Sequence, residues 1–173
     1  MFGRLRVLIR YLKGPFRCAK ENGLHCGKNV TVMGGVSFGS EPYLVTLEDN
    51  VRISNNVSFI THDGGTWAFR HEEPYVGVSR FGKIVVGEHS FIGANATIMP
   101  NVRIGKCCVI GTGAVVTKSI PDYSVAVGVP ARVISDTHTY AEKTKAAMPE
   151  NWDMAAYKAN KRAYLEETIP EPQ

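Results

Sequence analysis

The sequence predicts an all-β solenoid, a parallel β-helix built from six-residue repeats and closed at each end by helical segments. Three observations carry this expectation. From Val86 onward every sixth residue is aliphatic: Val86, Ile92, Ile98, Ile104, Ile110 and Val116. Four places after each stands a small or β-branched residue, namely Ser90, Ala96, Val102, Cys108, Ala114 and Ile120. A period of six fits neither an α-helix nor a two-faced strand.

What the period does fit is strands of a few residues joined by tight turns, with glycine, asparagine or aspartate at the bends. Glycine follows the aliphatic residue at Gly87, Gly93, Gly105 and Gly111. Three such strands close a triangular coil, so residues eighteen apart stack: Val86 on Ile104, Ile92 on Ile110, Ile98 on Val116. The aliphatic residues then fill the interior, and neighbouring coils pair as parallel strands about 4.8 Å apart. The beat also runs earlier. Leu47, Ile53 and Phe59 keep it, with Val51 and Val57 in the companion position, and so do Cys26, Val32 and Phe38, with Val30 and Val36. Its phase slips by three residues across "GSEPYL" and by three again between Phe59 and Arg80.

A solenoid has two open ends whose unpaired edges must be covered. Residues 2–13 place Leu5, Leu8, Ile9 and Leu12 on one helical face. From Thr139 to Glu167 the chain is rich in Ala, Lys, Glu and Tyr, which favours helix, and Pro149 either interrupts it or starts a second helix. The expected organisation is one domain: an N-terminal cap over 1–22, the β-helix over 23–134 with an extended loop at about 60–80, and a helical tail over 135–173.

Composition narrows the function classes. The 173 residues suffice for one buried core, and a composition of 44% hydrophobic and 21% charged residues is ordinary for a soluble protein. No apolar run approaches the roughly 20 residues that span a bilayer, and the N-terminus lacks the apolar core and cleavage site of a signal peptide. Cys18, Cys26, Cys107 and Cys108 form no CxxC pair and read as reduced thiols in a reducing compartment, which predicts a cytoplasmic protein. No metal is expected. The basic residues Arg4, Arg6, Arg10, Lys13, Arg17 and Lys20 all precede the first acid, Glu21. The preferred reading of this segment is a helix packed on the open end of the solenoid; the second is peripheral contact with an anionic membrane. Net charge of +4 without a recognition motif argues against nucleic acid.

The stretch "VGEHSFIGANATIMPNVRIGKCCVIGTGAVVTKSIPDYSVAVGVPARVI" resembles the terminal coils of the hexapeptide-repeat acyltransferases. It is most like the maltose/galactoside and the capsule or lipopolysaccharide O-acetyltransferases. "GTGAVVTKSIP" followed by "AVGVPARVI" is the most specific part, and the resemblance covers about residues 26–134. It implies a left-handed parallel β-helix, assembly as a homotrimer, acetyl-CoA in the groove between subunits, and a catalytic histidine on a projecting loop. His62, in "THDGG", matches that histidine in order and context. Its implied role is general base, for which imidazole suits because its ordinary pKa lies near operating pH. The bland alternative is a turn-capping or solvated histidine beside Asp63.

Around it, Asp63, Trp67 and His71 are candidate acceptor contacts, and Gly64 and Gly65 set the turn. Trp67 and Phe69 either line an acceptor pocket or pin the loop to a neighbouring subunit. His25, His89 and His138 are assigned no function. By resemblance Ala94 and Thr112 border the coenzyme groove through their main chains, Thr117 and Lys118 lie near its exit, and Arg132 meets the adenosine 3′-phosphate. Lys118 and Arg132 can equally be solvated charges on the last coil.

The expected activity is acetyl transfer from acetyl-CoA to a sugar hydroxyl in surface-polysaccharide or lipopolysaccharide synthesis. Its rivals are N-acetylation of a nucleotide-linked amino sugar, acetylation of a streptogramin-type drug, and a non-catalytic or carbonic anhydrase-like repeat protein. The last would need His62, His71 and His89 to converge on zinc, which their spacing gives no reason to expect.

Overall fold

The six-residue beat folds into strands of two or three residues that the chain lays down in rotation on three parallel sheets. The computed structural model describes residues 14–170. After a short helix, α1 (Pro15–Glu21), come β1 (His25–Cys26), β2 (Thr31–Val32), β3 (Val45–Leu47), β4 (Arg52–Ile53) and β5 (Ser58–Phe59). Beyond the loop follow β6 (Ile84–Val86), β7 (Phe91–Ile92), β8 (Thr97–Ile98), β9 (Val102–Ile104), β10 (Val109–Ile110) and β11 (Val115–Val116). The first sheet orders β1-β3-β6-β9 and the third β5-β8-β11, while β2-β4-β7-β10 form the body of the second.

The eighteen-residue register holds: Val86 lies opposite Ile104, Ile92 opposite Ile110, and Ile98 opposite Val116. All six residues are 0% exposed, and their companions from Ser90 to Ile120 are buried beside them. Each such aliphatic side chain contributes about 1.5–3 kcal/mol by leaving water. Across the two phase slips the register survives with longer steps. Cys26 faces Leu47 and Val32 faces Ile53, while Phe38 stacks on Phe59 with centroids 5.2 Å apart and planes at 3°. Leu47, Ile53 and Phe59 then face Val86, Ile92 and Ile98. Both insertions therefore leave the coil after a third-sheet position, at the same corner of adjacent turns.

The bends carry the expected asparagines and, in addition, a histidine, a cysteine and a tyrosine. The left-handed backbone that turns each corner belongs mostly to non-glycine residues: Asn29, Asn50, His89, Cys107 and Tyr123 on one edge, Asn56 and Asn95 on another. Asparagine tolerates this conformation because its short polar side chain bonds locally. The glycines after the aliphatic residues serve close approach instead. A Cβ on Gly87 would lie 2.5 Å from the Gly105 carbonyl carbon, and one on Gly93 would lie 2.6 Å from the Thr112 nitrogen.

At the start of the coil, Pro15 begins α1, Ala19 and Leu24 are buried, and Phe16 extends the Phe38–Phe59 stack with centroids 6.1 Å apart. The helix expected over 2–13 lies outside the described residues. At the far end β12 (Ser124–Val127) pairs in parallel with β10, and β13 (Arg132–Asp136) folds back on it antiparallel. From His138 onward the described residues form a second compact unit. The helices of this stretch of sequence are α2 (Thr137–Ala146), α3 (Met154–Ala159) and α4 (Lys161–Thr168), with Pro149 between the first two as an interruption. Asp153 caps α3 by accepting from the Ala155 and Ala156 amides, and Trp152 packs against Tyr157 and Tyr164.

Candidate active site

The second insertion is clamped at its neck. Thr61 O accepts from Gly82 N at 2.9 Å, and Asp63 N donates to Arg80 O at 2.9 Å, with His62 bridged antiparallel to Phe81 between them. This short ladder ties His62 to the rigid coil even though the loop beyond it is exposed. Asp63 then turns the chain: its Oδ1 accepts from Gly65 N at 2.9 Å and caps a 3-10 turn over Gly64–Ala68, under which Thr66 is buried.

The first insertion supplies the partner. Glu41, in "GSEPYL", directs Oε2 to His62 Nδ1 at 3.0 Å, and the same oxygen accepts from Thr61 Oγ1 at 2.6 Å. Thr61 is 1% exposed. Burial by itself would raise the Glu41 carboxyl, but hydrogen bonds from Thr61, Ser40 and His62 outweigh it and hold the pKa below the usual carboxylate range. Glu41 is thus ionised at neutral pH and can only accept. The proton on the His62 side of this contact belongs to Nδ1, so in the neutral ring Nε2 carries the free lone pair. The arrangement can hold an imidazole in one tautomer and one orientation and stabilise the imidazolium that forms when it takes a proton.

A cleft of about 490 Å³ opens beside the pair, lined among others by Ser40, Glu41, His62, Asp63, Trp67 and Arg80. Trp67 is 73% exposed, and the Arg70 guanidinium lies over its ring, 4.6 Å from the centroid. Phe69 meets Tyr75 edge-on within the loop. His71 lies on an adjoining surface with Trp67 and Arg70 and pairs with Glu72 at 3.2 Å. Sequence reasoning singled out His62, Asp63, Trp67 and His71 but missed Glu41, Thr61, Arg70 and Arg80.

The coenzyme candidates flank one face of the coil. Ser58, Thr97 and Val115 lie in register on the outside of the third sheet. Ala94 and Thr112 precede that face on successive turns, Ala94 O accepting from Gly113 N at 2.8 Å. Thr117 and Lys118 follow it, exposed, on the same edge from which the loop departs. Arg132 opens β13 and is exposed, with Nη1 donating to Ala131 O at 2.9 Å. Among the described residues, no group of three or more His, Cys, Asp or Glu side chains is placed to hold a metal. Nor is any described helix long and apolar enough to cross a membrane.

Against known proteins, the family described as Bacterial transferase hexapeptide (six repeats) matches residues 83–118. The galactoside O-acetyltransferase of Escherichia coli is 33% identical over 140 residues, 78% of this chain and 67% of that protein. The chain belongs to the hexapeptide-repeat acyltransferase superfamily. A second superfamily relative, protein CapG of Staphylococcus aureus, is 44% identical over 107 residues, 62% of this chain and 61% of its own length. The chain thus spans about three-fifths of CapG. Among solved superfamily structures, a maltose O-acetyltransferase from Clostridium difficile has a TM-score of 0.55 at 27% identity, covering 68% of this chain and 72% of that one. A serine acetyltransferase from Brucella abortus in complex with coenzyme A has a TM-score of 0.51 at 28% identity, covering 66% and 40%. The matched family stretch holds the coenzyme candidates Ala94 to Lys118, whereas Glu41 and His62 precede it.

Proposed function

We propose that this hexapeptide-repeat acyltransferase moves an acetyl group from acetyl-CoA to a sugar hydroxyl, in surface-polysaccharide or lipopolysaccharide synthesis, with His62 as general base. The observation that carries the reading is the Glu41–His62 contact at 3.0 Å, which engages Nδ1 and leaves Nε2 as the basic nitrogen. Coenzyme A in the Brucella structure and the names of the galactoside and maltose enzymes support the donor and the acceptor class.

In this reading the acceptor hydroxyl lies in the cleft, and Nε2 takes its proton as the oxygen attacks the thioester carbonyl. The C–S bond then breaks, the acetyl group stays on oxygen, and the proton passes from His62 to the departing thiolate. Glu41 holds the ring and balances its transient positive charge; a positioned base of this kind contributes roughly 10² to 10⁴ in rate. Ala94 and Thr112 border the pantetheine arm through their main chains, Thr117 and Lys118 lie near the groove's exit, where Lys118 meets a phosphate, and Arg132 meets the adenosine 3′-phosphate. No covalent acyl-enzyme is needed. The coil winds left-handed, three copies assemble as a homotrimer, and the protein works in the cytoplasm, a setting that suits its four free thiols.

The test is a thiol-release assay with acetyl-CoA across a panel of sugars and nucleotide sugars, run on wild type and His62→Ala. Acetyl transfer that falls by at least about a hundredfold in the variant is the expected result. Near-normal turnover of a confirmed acceptor by His62→Ala would overturn the assignment.

A further inference from the structure

The charges in the cleft do not cancel in use. Of its two carboxylates, Glu41 is committed to His62 and Thr61, and Asp63 Oδ1 to the Gly65 amide. Its two guanidiniums are free of such commitments: among the described residues neither Arg70 nor Arg80 forms an ion pair or donates a side-chain hydrogen bond to an acid. The Arg70 guanidinium moreover lies over the Trp67 ring with Cζ 4.6 Å from its centroid, a contact that restrains the fork without consuming its N–H donors. Arg80 is anchored by its backbone at the neck, where its carbonyl receives the Asp63 amide at 2.9 Å, one residue from the His62–Phe81 bridge. Unspent positive donors therefore line the same cleft as the candidate base.

We infer that the acceptor is an anionic sugar, one bearing a carboxylate or a phosphate that Arg70 and Arg80 engage while a neighbouring hydroxyl faces His62. The inference rests on the acetyl-transfer reading above and narrows its substrate class. A neutral glycan leaves both guanidiniums without partners in the cleft, whereas a planar or tetrahedral anion accepts from the fork of each. The two arginines are specificity-determining residues, and Trp67 contributes by fixing one of them.

The test compares acceptors that share the ring hydroxyls at C2, C3 and C4 and differ at C6: methyl glucoside, methyl glucuronide and methyl glucoside 6-phosphate, with the corresponding galactose series. Thiol release from acetyl-CoA gives kcat/KM for each, and calorimetry gives equilibrium binding independent of turnover. The anionic members should be favoured by roughly tenfold or more, the range of a charge-assisted contact. Arg80→Gln and Arg70→Gln should each shrink that ratio through KM, and Arg80→Lys should restore part of it. Preference for the uronate assigns the carboxylate, and preference for the phosphate ester assigns the phosphate. Equal or absent binding of charged and neutral sugars, or a ratio unmoved by both Gln variants, overturns the inference. Acetyl transfer to neutral sugars at an undiminished rate overturns it while leaving the acetyl-transfer reading intact. Charge-selective binding without transfer to any sugar does the reverse.

Discussion

Glu41 and His62 each follow a stacked phenylalanine by three residues, Phe38 on one turn and Phe59 on the next, and they meet at 3.0 Å. The contact is thus an extension of the coil's own register beyond its core. Phe38 and Phe59 are buried and parallel, and the same lateral step that stacks them brings the carboxylate onto the imidazole. Glu41→Gln keeps the side chain's length but removes its charge. The variant is expected to lose rate in kcat more than in KM, by less than His62→Ala, because a neutral amide stabilises imidazolium less well than a carboxylate. Steady-state kinetics with saturating acetyl-CoA reads the difference.

The same carboxyl gives a pH dependence of stability. Its folded pKa lies below the ordinary value of 4.5 because the hydrogen bonds to Glu41 outweigh its burial. A depressed carboxylate contributes stability that is complete above the unfolded pKa and is lost as pH falls through the folded one. Thermal unfolding followed between about pH 3 and pH 7 should show the wild type losing Tm more steeply below the ordinary carboxylate pKa than Glu41→Gln. Parallel curves for the two proteins would remove Glu41 from the account.

Much of this fold was legible in the sequence, because a buried side chain every six residues leaves a mark that no surface demand erases. The stacking of Ile92 on Ile110 and Ile98 on Val116 follows from the beat alone. His62 was legible through its position in the interruption. Glu41 was not, since a glutamate in a short linker looks solvated and its partner is remote in sequence. A signal was nonetheless there: both interruptions shift the phase by three and both follow a third hexad, which puts them at one corner on adjacent turns. Arg70 and Arg80 lie where the beat is silent, and only the closed neck of the loop brings them to the cleft.

The division of labour between corner residues and close-packed glycines can be separated by substitution. Gly93→Ala forces a Cβ to 2.6 Å from the Thr112 nitrogen and 2.7 Å from the Gly111 carbonyl carbon, both backbone atoms of the next turn. Neither can move without parting the coils, so a loss of about 1–3 kcal/mol or more is expected. Asn95→Gly, at a left-handed corner with φ of 58°, replaces a tolerated residue by a freer one and should stay within about 1 kcal/mol of wild type. Chemical denaturation distinguishes the two, and similar losses at both sites would contradict the assignment.

Ile98 tests the interior. It is 0% exposed and lies in register between Phe59 and Val116. Ile98→Ala opens a cavity that rigid neighbouring turns fill poorly, and should lower unfolding free energy by about 2–5 kcal/mol. The urea midpoint should fall with little change in slope.

Asp63 has two roles to tell apart. If its carboxylate touches the acceptor through charge, Asp63→Asn and Asp63→Ala should both lower activity. The structure shows Oδ1 accepting from Gly65 N at 2.9 Å and starting the turn that carries Thr66 and Trp67. An asparagine keeps that acceptor, whereas alanine removes it and leaves the turn less favoured by about 1 kcal/mol. The expected outcome is therefore retained kcat/KM in Asp63→Asn and a reduced value in Asp63→Ala. Equal losses in both would return Asp63 to the list of charged acceptor contacts.

At the coenzyme end the decisive comparison is between acetyl-CoA and its 3′-dephospho form. Arg132 is exposed at the start of β13, and its Nη1 donates to the Ala131 carbonyl at 2.9 Å, which holds the side chain close to the backbone. Lys118 is exposed one residue beyond Thr117, past the end of β11. If Arg132 meets the 3′-phosphate, wild type should prefer acetyl-CoA in KM by roughly tenfold, and Arg132→Gln should abolish that preference by raising KM for acetyl-CoA alone. Lys118→Gln should raise KM for both forms, because a phosphate elsewhere on the coenzyme is common to them. A preference that survives Arg132→Gln but disappears in Lys118→Gln would exchange the two roles. No preference in the wild type would mean that neither cation reads the 3′ position.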